Sequence, residues 1–121
     1  MAGPKVLVVE DEFLIRLTLA EALSDEGFEV LEAATADEAL GLVRNDDGIE
    51  LLLTDIQLPG KLDGIGLARE ARLHAPVLPV IFMTGRPESV IQAGRSGRDA
   101  FIAKPYLPSE VCAAARRLTG R

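Results

Sequence analysis

Lys5-Val-Leu-Val-Val-Glu-Asp-Glu12 sets an apolar run, Val6 to Val9, directly against a pair of carboxylates, Glu10 and Asp11. The run has no polar alternation. It therefore reads as a strand buried on both faces, the pattern of a parallel sheet. It is too short for a signal-peptide core, and far short of the ~20 apolar residues of a membrane span. Similar runs follow at Phe28 to Leu31, Ile49 to Leu53, Val80 to Met83 and Ala100 to Ala103. Stretches of helical periodicity lie between them, and that alternation predicts an α/β fold built from βαβ units.

The periodicity predicts a first helix over Glu12 to Glu26, with Ile15, Leu19, Ala22 and Leu23 inward and Gly27 as its stop. Thr35-Ala36-Asp37-Glu38 fits a capping box opening the second helix, whose buried stripe is Ala39, Leu40 and Val43. The third runs from Gly64 to His74 with Asp63 as its cap. The last opens at Pro108, which suits a first helical position, and buries Val111, Ala114, Ala115 and Leu118. Between them, Pro87 to Asp99 holds a proline, two glycines and only Val90 and Ile91 as strong apolar anchors. A short or irregular fourth helix, Glu88 to Ala93, is expected there.

A chain of 121 residues with 48% apolar and 26% charged residues is an ordinary globular domain. Residues 1–121 are expected to form one unit, in the cytoplasm and without a membrane contact. Acidic residues outnumber basic ones 19 to 13, giving a net charge of -6. That balance argues against binding a phosphate backbone, where affinity comes from cations. Cys112 is the lone cysteine, so no internal disulfide can form.

In open α/β sheets the ligand site lies beyond the carboxyl ends of the strands. Here those ends read Glu10-Asp11, Thr54-Asp55, Thr84-Gly85 and Lys104-Pro105, while the second, Ala33-Ala34, carries nothing polar. Carboxylates at close range repel unless a cation joins them. Hard oxygen donors suit Mg2+, which keeps several waters and takes one or two protein carboxylates plus phosphate oxygens. A divalent ion and Lys104 together balance Glu10, Asp11 and Asp55. A site neutralised in this way accepts a phosphoryl group, whose transfer needs cations on its oxygens and an in-line nucleophile. A carboxylate can be that nucleophile, forming an aspartyl phosphate.

Lys5 to Glu12, Thr54-Asp-Ile-Gln-Leu-Pro-Gly60, Asp63-Gly64, Thr84 and Lys104-Pro-Tyr106 together resemble a response-regulator receiver domain, over Lys5 to Leu118. The resemblance implies a flavodoxin-like, doubly wound five-stranded parallel sheet of order 2-1-3-4-5 with five helices. It implies Asp55 as phosphoacceptor and Asp11 as direct Mg2+ ligand. Glu10 would act beside Asp11 through a metal-bound water, and the Gln57 backbone carbonyl would be a further ligand. Thr84 and Lys104 would bond the phosphoryl oxygens, Pro105 would follow a cis peptide bond, and Phe101 would be the aromatic whose rotamer follows Thr84. The implied partners are a histidine kinase or histidine phosphotransfer protein and an unknown downstream protein, with no nucleic acid bound through this domain.

The chain departs from the family pattern in places. The Thr84 to Lys104 interval is about two residues shorter than usual, the loss falling in the weak Pro87 to Asp99 stretch. Lys61-Leu62 lengthens a loop, and Gly85 stands where alanine is commoner. With Phe82-Met83-Thr84-Gly85, these features resemble receivers of hybrid histidine kinases or a stand-alone subgroup. They put the usual output surface in question, not the chemistry.

Singly, each residue has a plainer use. Glu10 and Asp11 can favour a helix N-terminus, Asp55 can form a turn, Lys104 can be a surface cation, Thr84 can simply end a strand and Phe101 can pack in the core. Their agreement at four strand ends favours a site. Two other functions compete. A Mg2+-dependent phosphatase with an aspartyl nucleophile usually has a second carboxylate where Gln57 stands, and a substrate cap that this chain has no residues to build. A phosphorylation-independent interaction module has no need of Asp55, Asp11 and Lys104 together.

Overall fold

The computed structural model describes residues 3–85 and 98–120. In chain order the elements are β1 (Lys5–Val9), α1 (Phe13–Asp25), β2 (Glu29–Ala33), α2 (Ala36–Asn45), β3 (Ile49–Asp55), α3 (Gly64–His74), β4 (Val80–Thr84), β5 (Asp99–Ala103) and α4 (Pro108–Thr119). The strands pair in parallel in the order β2-β1-β3-β4-β5, as expected. Four helices are found among the described residues, not five. The short helix expected over Glu88 to Ala93 lies within 86–97, outside the described residues.

Strand alternation sends side chains to two cores. Leu7, Val9, Leu52, Ile56, Val80 and Phe82 meet α2 and α3 on one face. Val6, Val8, Leu51, Leu53, Ile81 and Met83 meet α1 and α4 on the other. Covering both faces is what lets the strands be apolar without alternation. Cys112 packs into the second core. No helix among the described residues is long and apolar enough to cross a membrane.

Local signals set the helix ends. Thr35 Oγ1 accepts the Glu38 N–H at 3.1 Å, and Glu38 Oε1 accepts the Ala34 N–H at 2.6 Å. The returning bond thus reaches one residue behind the cap, a variant of the expected box. Asp63 Oδ1 accepts the Gly66 N–H at 2.8 Å and opens α3. Gly27, at φ 96°, turns the chain out of α1 in the left-handed region that glycine tolerates. At the far edge of the sheet, Arg72 on α3 donates to the Leu78 carbonyl at 3.0 and 2.9 Å and to Asp99 Oδ1 at 2.5 Å. It fixes the start of β5 against the residues leading into β4.

Two glycines should respond oppositely to alanine. Gly41 lies inside α2, and a Cβ there meets nothing within 4 Å. Gly41→Ala should raise stability by about 0.5–1 kcal/mol, because the helical backbone loses less freedom on folding. A Cβ at Gly64 would run into the Asp55 carbonyl. Gly64→Ala should cost about 2–3 kcal/mol by overpacking. Urea midpoints of the two variants check both signs.

Candidate functional site

The carboxyl edge of the sheet is locked by backbone bonds one step beyond the strands. Glu10 N–H reaches the Ala33 carbonyl at 3.1 Å, Ile56 N–H the Met83 carbonyl at 2.9 Å and Lys104 N–H the Thr84 carbonyl at 2.8 Å. Residues that follow different strands are thereby held level. Alternation then divides them. Glu10, Asp55 and Lys104 are in phase with the α1 and α4 face, Thr84 and Phe101 with the other, and all but Phe101 stand at the carboxyl edge where the two faces meet.

Asp55 is 4% exposed at the end of the central strand. Its Oδ2 accepts the Lys104 ammonium at 2.5 Å, and its Oδ1 accepts the Gln57 N–H at 3.1 Å. Both oxygens are held, so the plane of the carboxyl group is fixed. Lys104 leads into a cis Lys104–Pro105 peptide bond, as the resemblance implies.

Glu10 is buried as well. Its Oε2 accepts the Glu12 N–H at 2.9 Å, while Oε1 is buried with no hydrogen bond among the described residues. Its carboxyl is pushed up to about 7. Burial is the main cause; the Asp11 and Asp55 carboxyls add to it, and the Glu12 N–H and Lys104 oppose it. A buried, unbonded carboxylate oxygen beside two more carboxylates is the hard donor set that Mg2+ takes. No cluster of three or more acidic, His or Cys side chains forms a metal cage among the described residues. Mg2+ needs only one or two protein carboxylates and keeps its waters, so the residues present fit it.

Of the other residues singled out by sequence, Asp11 and Gln57 are exposed on the rim and Thr84 is buried. Phe101 is half-buried and stacks on Phe82, with ring centroids 5.2 Å apart and planes 18° from parallel. It sits on the Thr84 face, across the sheet from Asp55.

The structure adds residues that the sequence reading passed over. Gly64, the first residue of α3, lies against the Asp55–Ile56 backbone and donates to the Ile56 carbonyl at 2.7 Å. Only a residue without a side chain allows that approach. The signal was present in Asp63-Gly64 behind the Asp55 loop. Tyr106 is half-buried, its hydroxyl pushed up to about 12 by burial and then by the charges on Glu10 and Asp55. With Leu14 and Pro105 it lines a groove of about 660 Å³ between α1 and the loop after Lys104. Arg16 donates to the Glu10 carbonyl. Its position inside a helix leaves no strand-end signal.

Residues 6–116 match the family described as response regulator receiver domain. The chain is 41% identical to the aerobic respiration control protein ArcA of Escherichia coli, over 100% of this chain and 50% of that protein. It therefore spans about half the length of the curated relatives it matches. A receiver domain protein from Clostridium thermocellum superposes with a TM-score of 0.89 at 29% identity, covering 100% of this chain and 96% of that one. The receiver domain of the hybrid histidine kinase CckA gives 0.81 at 32% identity, over 95% and 98%.

The Glu10 shift has a consequence for stability. The folded chain keeps the Glu10 proton to about pH 7, whereas a free glutamic acid releases it near 4.5. The folded state therefore binds more protons across that window, and its stability falls as pH rises through it. In buffer with a chelator, stability should drop from pH 5 to pH 8, and Glu10→Gln should flatten the drop. Urea titrations at both pH values test this; parallel profiles for the two proteins would show that Glu10 is not the cause.

Proposed function

The chain belongs to the response-regulator receiver family, and on that premise we propose that it is a phosphoacceptor switch. In this reading Asp55 takes a phosphoryl group from a phosphohistidine donor, a histidine kinase or histidine phosphotransfer protein, in a Mg2+-dependent reaction. The observation that carries it is the Asp55 carboxylate, buried, fixed by Gln57 and paired with Lys104 at 2.5 Å. A buried carboxylate at a site otherwise supplied with cations is a nucleophile protected from bulk water.

A carboxylate oxygen of Asp55 attacks phosphorus, the phosphorus–nitrogen bond of the donor imidazole breaks, and an acyl phosphate forms. Glu10, Asp11, Asp55 and the Gln57 carbonyl would hold Mg2+, which would supply the positive charge that both the carboxylates and the phosphoryl oxygens require. The Lys104 ammonium exchanges Asp55 Oδ2 for a phosphoryl oxygen in a charge-assisted bond. The Thr84 hydroxyl bonds another phosphoryl oxygen. Phe101, on the same face as Thr84, carries that movement toward the edge strand β5, where a downstream protein reads it. Water later hydrolyses the acyl phosphate and restores the carboxylate. The domain turns over only its own phosphoryl group.

The surface around Lys104 supports a protein donor. Leu14 is 73% and Leu107 64% exposed beside the apolar groove, a docking surface next to the nucleophile. The net charge of -6 supports a signalling domain that does not itself bind nucleic acid.

Acetyl phosphate with Mg2+ should add one phosphoryl mass to the intact chain, and Asp55→Asn should abolish the gain while keeping the fold. A mutant that labels at the wild-type rate would sink the assignment. Asp11→Asn should weaken Mg2+ binding more than Glu10→Gln, because Asp11 is the direct ligand; equal losses in a metal titration would undo that division. Lys104→Ala should leave Mg2+ binding intact or tighter, since a competing cation is removed. It should also blunt the phosphate-dependent shifts in amide spectra, and full shifts would remove Lys104 from the switch.

A further inference from the structure

Arg16 stands near the start of α1 with its side chain only 15% exposed. Its Nη1 donates to the Glu10 carbonyl at 2.7 Å, and its Nε reaches Glu32 Oε1 at 3.2 Å. The guanidinium carbon lies 5.5 Å from the centre of the Phe13 ring. One planar fork thus ties the residue after β1 to a residue of β2 and is steadied by an aromatic face.

The acceptor on Glu10 matters. A carbonyl shares one rigid plane with the next amide, so holding the Glu10 oxygen also orients the bond that leads to Asp11. The Glu10 amide is already bonded to Ala33 at 3.1 Å. With Arg16 on the other side, the backbone of Glu10 is fixed at both ends. These bonds spend the arginine on a carbonyl and on Glu32, leaving the Glu10 and Asp11 carboxylates for a metal. Lys104 does the opposite and engages a carboxylate of the site directly.

We propose that Arg16 is a positioning residue for the acid pair, holding the Glu10–Asp11 peptide in the orientation from which both side chains serve a divalent cation. The proposal rests on the reading above that Glu10 and Asp11 hold Mg2+. Groups behind metal ligands change affinity about 10–100-fold when removed, and a backbone contact belongs at the lower end.

The test is a Mg2+ titration of the whole chain followed by amide spectra, with hydrogen exchange at Asp11 and Glu12 measured in chelator. Arg16→Met keeps the stem over Phe13 and removes the donors. It should weaken Mg2+ about tenfold and speed exchange at Asp11 and Glu12 without metal. Arg16→Lys, which restores a donor, should recover part of the loss. Glu32→Gln breaks the ion pair but leaves the carbonyl bond, and should change affinity less than about twofold. Wild-type affinity in folded Arg16→Met, or an equal loss in Glu32→Gln, overturns the proposal. If Arg16→Met does not fold, Arg16→Lys must still bind more weakly than Glu32→Gln, and equality of the two overturns it. A wild-type chain that binds no Mg2+ overturns the underlying reading instead, while the metal-free exchange rates still report on Arg16.

Discussion

The bond between the Lys104 ammonium and Asp55 Oδ2, 2.5 Å long, joins the central strand to the edge strand and pairs a buried carboxylate with a half-buried cation. An unpaired carboxylate at 4% exposure would be costly. Pairing it with a lysine makes the charge tolerable, and a lysine on a flexible stem can let go again. In the proposed function, the pair is the resting state that a phosphoryl group displaces. Parallel pairing through β4 brings the carboxyl ends of β3 and β5 to one edge.

The second constraint is the burial of Glu10. Its Oε1 has no hydrogen bond among the described residues, and its carboxyl holds a proton to about 7. Such a group destabilises the metal-free fold at neutral pH and suits a bound cation. In the proposed function, stability and metal binding are thus set against each other at one residue, as expected of a site kept for function. Arg16 answers that tension from the backbone side by fixing the peptide and leaving the carboxylate untouched.

The fold was legible because each strand is a short apolar run ending in a polar or turn residue, and because Asp63, Thr35 and Pro108 mark helix starts by local chemistry. α3 spans Gly64–His74, in keeping with its periodicity. The ends of β2 and β3 run on past their apolar runs, to Ala33 and Asp55, since backbone pairing continues where side-chain hydropathy stops. At the site, Asp55, Lys104 and Glu10 were legible from strand-end position. The division by faces, with Phe101 across the sheet from Asp55, follows from the same alternation. Arg16 and the close approach at Gly64 give no strand-end signal. Each acts on a backbone carbonyl or a backbone path, and such contacts leave no pattern of residue types at strand ends. Tyr106 was quoted only as part of a motif, because its surroundings come from α1, distant in sequence.

The most direct test of the account is the position of the phosphoryl group. The chain is treated with acetyl phosphate and Mg2+, the acyl phosphate is reduced with borohydride, and the products are sequenced by tandem mass spectrometry. Reduction converts a phosphorylated aspartate to homoserine. The account requires homoserine at position 55 alone. Homoserine at position 11, or reduction at Glu10 with Asp55 untouched, would contradict it.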